Sequence, residues 1–83
     1  MQITLKLYAM LTDYLPAGAD KNVCRLDLEP GTPVARVIEQ LELPRRLVHL
    51  VLVNGVYVAP EQLGEHALQD GDTLAIWPPV AGG

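Results

Sequence analysis

Ile3, Leu5 and Leu7 alternate with Gln2, Thr4 and Lys6. A period of two sets one row of side chains against a core and the other in water, so the spacing predicts a first strand. Met10, Leu11, Tyr14 and Leu15 then fall at helical spacing and stop at Pro16, which predicts a short helix; the polar stretch from Gly18 to Asn22 reads as a loop. Cys24, Leu26 and Leu28 alternate with Arg25, Asp27 and Glu29, a second strand that runs to the turn pair Pro30-Gly31.

Thr32 offers an N-cap oxygen, with Pro33 behind it at the first helical position, where a missing N–H costs nothing. Val34, Val37, Ile38 and Leu41 follow at i, i+3, i+4 and i+7, the stripe of the main helix, which must end near Pro44. Val48 to Val53 is almost continuously apolar, Asn54-Gly55 supplies the positive-φ pair of a two-residue hairpin turn, and Val56 to Val58 returns. Gln69-Asp70-Gly71-Asp72 is a second tight turn, and Thr73 to Trp77 a last strand with Leu74 and Ile76 on one face. Strands, one amphipathic helix and more strands predict an α+β fold: a mixed sheet of about five strands with the helix on one face. The expected core is Ile3, Leu5, Leu26, Val37, Ile38, Leu41, Leu50, Leu52, Leu74 and Ile76.

With 83 residues the chain holds one domain, and 49% apolar against 19% charged residues separates it from disordered sequences. At this size the core is marginal, and a smaller domain would usually need a disulfide or metal staple. The lone Cys24 cannot close an internal disulfide, and His49 and His66 have no second cysteine or close histidine to complete a zinc spacing, so no metal is expected. A reducing, cytoplasmic compartment follows. The longest unbroken apolar run, Leu7 to Leu11, is too short to span a membrane, and no secretion signal opens the chain. Six Lys and Arg against ten Asp and Glu give a net charge of −4, which disfavours nucleic acid and leaves proteins as the expected partners.

The last residues carry most information. Two terminal glycines occur by chance in under ~1% of chains at ordinary glycine frequency. Glycine lacks Cβ, so it threads a narrow channel and adopts backbone angles closed to other residues, which suits a backbone gripped closely by another protein. Pro78-Pro79 fixes φ near −65° and removes two donors, ending the sheet and starting an extended tail of Pro78, Pro79, Val80, Ala81, Gly82 and Gly83. At ~3.3 Å per residue this arm reaches ~20 Å and presents its carboxylate for chemistry elsewhere. The domain is then 1–77 and the tail 78–83. Its final residues, Ala81 to Gly83, are expected to be mobile in the free protein.

WPPVAGG preceded by LQDGDTLAI, with LVLVNGVYV upstream, resembles the MoaD/ThiS family of ubiquitin-like sulfur carriers over essentially the whole chain. The strand and helix order matches that family's β-grasp fold. The resemblance implies a protein without catalytic residues or bound cofactor of its own. An E1-like adenylating enzyme of the MoeB/ThiF type would use ATP to form an acyl-adenylate on Gly83, and sulfur from a sulfurtransferase or cysteine desulfurase would convert it to a thiocarboxylate. The PPVAGG ending is most similar to the small subunit of molybdopterin synthase, whose tail enters an active site on the large subunit, of the MoaE type. Only six residues separate Leu41 from Val48, fewer than is typical of those small subunits. A carrier for thiazole, tungsten-cofactor or another sulfur metabolite therefore stays open, as does a ubiquitin-like modifier joined through Gly83 to lysines. A β-grasp binding module with an idle tail is the plainest alternative.

If Leu74 and Ile76 face the core, alternation turns Trp77 outward beside the tail, either as an aromatic anchor for a partner or packed under the stalk. Arg45 and Arg46 offer a small patch for an acidic partner surface, or a solvated connector. Val80 can fill a partner pocket or fold back. Cys24, alternating with Leu26 and Leu28 and lacking a neighbouring base, reads as a buried structural thiol. Asp70 and Asp72 read as turn formers.

Overall fold

The computed structural model describes residues 1–80; Ala81, Gly82 and Gly83, and with them the expectation of a mobile tail end, lie outside the described residues. The strands are β1 (Gln2–Leu7), β2 (Val23–Asp27), β3 (Leu50–Val53), β4 (Val56–Tyr57) and β5 (Thr73–Trp77), with one α-helix, α1 (Val34–Gln40). Single 3₁₀ segments fill the connections at Ala9–Tyr14, Arg45–Leu47 and Pro60–Gln62. The strands form one mixed sheet in the order β2-β1-β5-β3-β4. β1 and β5 pair in parallel at its centre; the other pairs are antiparallel. This is the β-grasp arrangement expected from the sequence.

Central parallel strands are the most buried part of such a sheet. Leu5, Leu7, Leu74 and Ile76 accordingly have no exposed surface, and α1 adds Val34, Val37 and Ile38 to the same cluster. Leu26 and Leu41 lie at its margin, half-buried.

The start of α1 departs from the expected cap. Thr32 is buried, and its hydroxyl donates to the Glu29 carbonyl at 2.7 Å, closing the Pro30-Gly31 turn. Pro33 takes the N-cap position instead, in extended backbone. The hydroxyl is drawn away because the turn carbonyl lies within reach of its side chain. The helix then ends in a Schellman motif: Glu42 N–H donates to Glu39 O at 3.0 Å and Leu43 N–H to Ile38 O at 3.1 Å. Glu42 adopts φ 57° to allow this, and Leu43 tucks into the core.

The third strand corrects the expected core. Val51 and Val53 point inward, while Leu50 and Leu52 lie half-buried on the face opposite α1. In a run of LVLV either alternation satisfies a strand, and a slip of one residue exchanges the faces. The turn decides it. Asn54 N–H donates to Thr73 O and Thr73 N–H to Asn54 Oδ1, both at 2.9 Å, so Val53 falls opposite the inward Leu74 and Val51 opposite Ile76.

Candidate functional site at the end of the last strand

β5 stops where the sequence removes its donors. The carbonyl of Trp77 accepts the His49 N–H at 3.0 Å and that of Ile76 accepts Tyr8 N–H at 3.2 Å; Pro78 then has no N–H to continue the ladder. Pro78 is buried, so the exposed part of the tail begins one residue later than its first proline, at Pro79, and Val80 is 77% exposed. The tail leaves the domain at the centre of the sheet, since β5 lies between β1 and β3.

Leu74 and Ile76 face α1, and Trp77 accordingly lies half-exposed on the open face, as alternation requires. Its indole stacks on the Tyr8 ring with centroids 4.2 Å apart and planes within 6°. The pairing is a consequence of register: Leu7 lies opposite Ile76, so the next residue on each strand turns to the open face side by side. Leu50 lies across from Trp77, and Leu52 across from both Ala75 and Tyr57, a residue that is 55% exposed. An apolar patch thus runs over the open face from Tyr57 through Leu52 and Leu50 to the Tyr8–Trp77 pair at the root of the tail. Exposed patches of this kind mark interaction surfaces.

Arg45 and Arg46 are exposed on the 3₁₀ segment that leads into β3, at the end of the sheet from which the tail departs. Arg45 shares that end with Trp77 but not its face: it lines a cleft on the α1 side with Val48, Val51, Val58 and Leu63. Cys24 is buried opposite Leu5, its thiol 3.4 Å from the Arg25 carbonyl, a structural position. His49 is exposed just before β3, and His66 sits half-buried before α1's neighbouring bridge; among the described residues no His, Cys, Asp and Glu gather into a metal-binding group. Asp72 shapes its turn by accepting Gln69 N–H at 2.8 Å, while Asp70 reaches much further, accepting Gln2 N–H at 2.8 Å and pinning the start of β1.

Sequence reasoning did not find Tyr8, Leu50, Leu52 or Tyr57 as members of this surface. Tyr8 was legible in principle, because it continues the Gln2, Thr4, Lys6 alternation by one step onto the open face.

A mixed five-stranded sheet holding one helix, with a tail leaving its central strand, defines a ubiquitin-like domain. The model of the ThiS family matches residues 21–83, and the chain belongs to that family of small ubiquitin-like carrier and modifier proteins. SAMP1 of Haloferax volcanii is 29% identical with a TM-score of 0.71, each chain covered completely. A putative molybdopterin converting factor subunit 1 from Pyrococcus furiosus is 22% identical, with a TM-score of 0.69 over 95% of this chain and 98% of that one. A complex of subunits 1 and 2 of the molybdopterin-converting factor from Helicobacter pylori contains a chain that is 16% identical, TM-score 0.61, with both chains fully covered. The last two are likenesses of fold. A comparison with curated proteins found no match. Small carriers of the ThiS and MoaD type are generally non-catalytic. No helix among the described residues is long and apolar enough to cross a membrane.

Proposed function

We propose that this chain is a sulfur carrier whose C-terminal Gly83 is adenylated and converted to a thiocarboxylate, acting as the small subunit of a molybdopterin synthase. The observation that carries this reading is the departure of the tail: the β5 ladder stops at Trp77, and Pro79 and Val80 are exposed on the way to Gly82 and Gly83. The WPPVAGG ending favours the molybdopterin pathway over thiazole or tungsten-cofactor synthesis.

A carboxylate is a poor electrophile because its charge is delocalised and its leaving group would be oxide. Reaction with ATP converts it to an acyl-adenylate with release of pyrophosphate; the persulfide of the sulfur donor then displaces AMP to give an acyl disulfide, and a thiol cleaves that S–S bond, leaving the thiocarboxylate and a disulfide. The resulting thiocarboxylate is a soft nucleophile that remains ionised at neutral pH. These steps belong to partners: an E1-like adenylating enzyme of the MoeB/ThiF type that binds the ATP, a sulfurtransferase or cysteine desulfurase, and a large subunit of the MoaE type that uses the product. The chain itself supplies the arm and the surface at its root. Trp77 is the central contact for these partners, with Arg45 and Arg46 meeting acidic groups at the same end of the sheet.

Incubation with an E1-like enzyme, ATP and a sulfur donor is expected to exchange one oxygen for sulfur in the intact mass, with the change confined to Gly83. Deleting Gly83 is expected to abolish it, since a displacement of ~1 Å from the reacting centre already costs ~100-fold. Thiocarboxylation of the deletion variant at the full rate would overturn the role of the tail. The likeness to the small archaeal modifier protein 1 of Haloferax volcanii, 28% identical over 95% of this chain, favours one second reading, a protein modifier. Isopeptide conjugates on lysines in the native cell, without any thiocarboxylate, would replace the first reading by this one.

A further inference from the structure

The outer edge of β2 carries a pattern that is complementary to itself. In an antiparallel pair, residues that exchange backbone bonds alternate with residues whose N–H and C=O point away. Met1 and Leu28 exchange both bonds at 2.8 Å, and Leu7 N–H donates to Asn22 O at 3.0 Å. The alternation between these two points gives Ile3–Leu26 and Leu5–Cys24 to the β1–β2 ladder, and directs the backbone groups of Val23, Arg25 and Asp27 outward.

Val23 is already occupied. It exchanges bonds with Asp20, N–H to carbonyl at 3.0 Å and carbonyl to N–H at 2.9 Å, through the turn at Lys21. At the other end the chain leaves the sheet after Leu28, where Glu29 O accepts both the N–H and the hydroxyl of Thr32. The edge available to another strand is therefore Cys24 to Leu28, with Arg25 and Asp27 as its outward-bonding residues. Both side chains are exposed and share the open face, where Arg25 lies opposite Thr4 and Asp27 opposite Gln2.

We propose that a second copy of this chain pairs antiparallel along this edge, about a two-fold axis through Leu26. In that register Arg25 exchanges backbone bonds with Asp27 of the second copy, and the axis repeats the exchange. Each guanidinium then lies across from a carboxylate. On the α1 side the half-buried Leu26 meets its own image, and Leu28 meets Cys24 of the second copy. The alternative registers fail on the same residues. An axis through Arg25 sets two guanidinium groups opposite each other and runs Asp27 into the blocked Val23, and an axis through Asp27 sets two carboxylates opposite each other. Like charges directly opposite on a sheet are destabilising.

The strand overlap is short, well below the ~1,600 Å² typical of a stable complex, and each copy carries a charge of −4. The dimer is accordingly weak, with a dissociation constant of order 0.1 mM. β2 is at the opposite side of the sheet from β3 and β4, so pairing there leaves the Tyr8–Trp77 surface and the tail open. The proposal does not depend on what chemistry occurs at Gly83.

Sedimentation equilibrium of the intact chain from ~10 µM to ~1 mM tests it, with Arg25→Asp and Asp27→Arg as reversed variants. The wild type is expected to dimerise, and each variant alone to associate at least ~10-fold more weakly because both symmetric pairs become like-charged. Mixing the two variants is expected to restore association, since a heterodimer places aspartates opposite arginines at both positions. Thermal unfolding of each variant verifies its fold. If either reversal disturbs the fold, the neutral variants Arg25→Gln and Asp27→Asn replace them, and each is then expected to associate more weakly than the wild type at the same ionic strength. A chain that stays monomeric to 1 mM overturns the proposal. So does association that survives each reversal, is not restored by mixing, or is unweakened in both neutral variants.

Discussion

Asn54 and Asp72, eighteen residues apart, clasp the two tight turns of the chain together: the Asn54 amide donates to Asp72 Oδ1 at 2.8 Å. The other Asp72 oxygen accepts Gln69 N–H at 2.8 Å, and Asn54 Oδ1 accepts Thr73 N–H at 2.9 Å. Asn54 has φ 52° and Gly55 φ 81°, the positive pair of the hairpin turn, so Asn54 performs two tasks: it tolerates the backbone and it carries the clasp. Substitutions separate them. Asn54→Ala loses both, at about 2 kcal/mol; Asn54→Gly loses only the clasp, at about 1 kcal/mol. Urea denaturation of the two variants checks the difference, and equal midpoints would show that the clasp alone stabilises the turn.

The C-terminus of α1 contains removable strain. Glu42 adopts φ 57° at the position where Schellman motifs favour glycine. Relief of the left-handed strain by Glu42→Gly outweighs the added flexibility of the unfolded chain, so the variant is expected to gain about 0.5 to 1 kcal/mol. A rise in the denaturation midpoint at unchanged slope is the measurement; a fall would mean that the Glu42 side chain contributes more than its backbone costs.

Ile38 is 1% exposed in the main cluster, and Ile38→Ala is expected to cost about 2 to 5 kcal/mol. The valine and leucine of β3 give a sharper comparison. Val51, 2% exposed, faces α1, whereas Leu52 is half-buried on the open face. Val51→Ala is therefore expected to destabilise the domain more than Leu52→Ala, although the second removes more carbon. Thermal unfolding of the pair reports the register directly, and the reverse order would place Leu52 in the core.

Several elements of this fold were legible because each has its own signal. Ile3, Leu5 and Leu7 alternate cleanly, Val34, Val37 and Ile38 recur at helical spacing, and Asn54-Gly55 admits few turns other than a tight hairpin. Where the local signal was degenerate, a distant residue decided. Both faces of Leu50–Val53 are apolar, and the choice between them is made by the bonds between Asn54 and Thr73, nineteen residues away. Thr32 has a good capping side chain, but the nearby Glu29 carbonyl claims its hydroxyl. At the site, the outward turn of Trp77 follows from alternation alone. Tyr8 required knowing that β1 and β5 are parallel neighbours with Leu7 opposite Ile76, which only the assembled sheet supplies.

Trp77 and Tyr8 present their stacked rings at the root of the tail, and the stack fixes the indole before a partner arrives. Ordering a side chain in advance lowers the entropic cost of binding. Aromatic anchors at the centre of an interface contribute 2 kcal/mol or more, so Trp77→Ala is expected to weaken binding to the proposed adenylating partner at least ~30-fold. Tyr8→Ala leaves the indole in place but unsupported, and is expected to weaken the same complex by a smaller factor, ~3- to 10-fold, consistent with the value of an aromatic pair. Tyr8→Phe keeps the ring and is expected to bind as the wild type does. Calorimetric titration of the three variants against the adenylating enzyme checks the order, with tryptophan fluorescence of the free wild type and the two Tyr8 variants reporting whether the stack is lost. Equal affinities for all three would remove the aromatic pair from the docking surface and leave recognition to the tail.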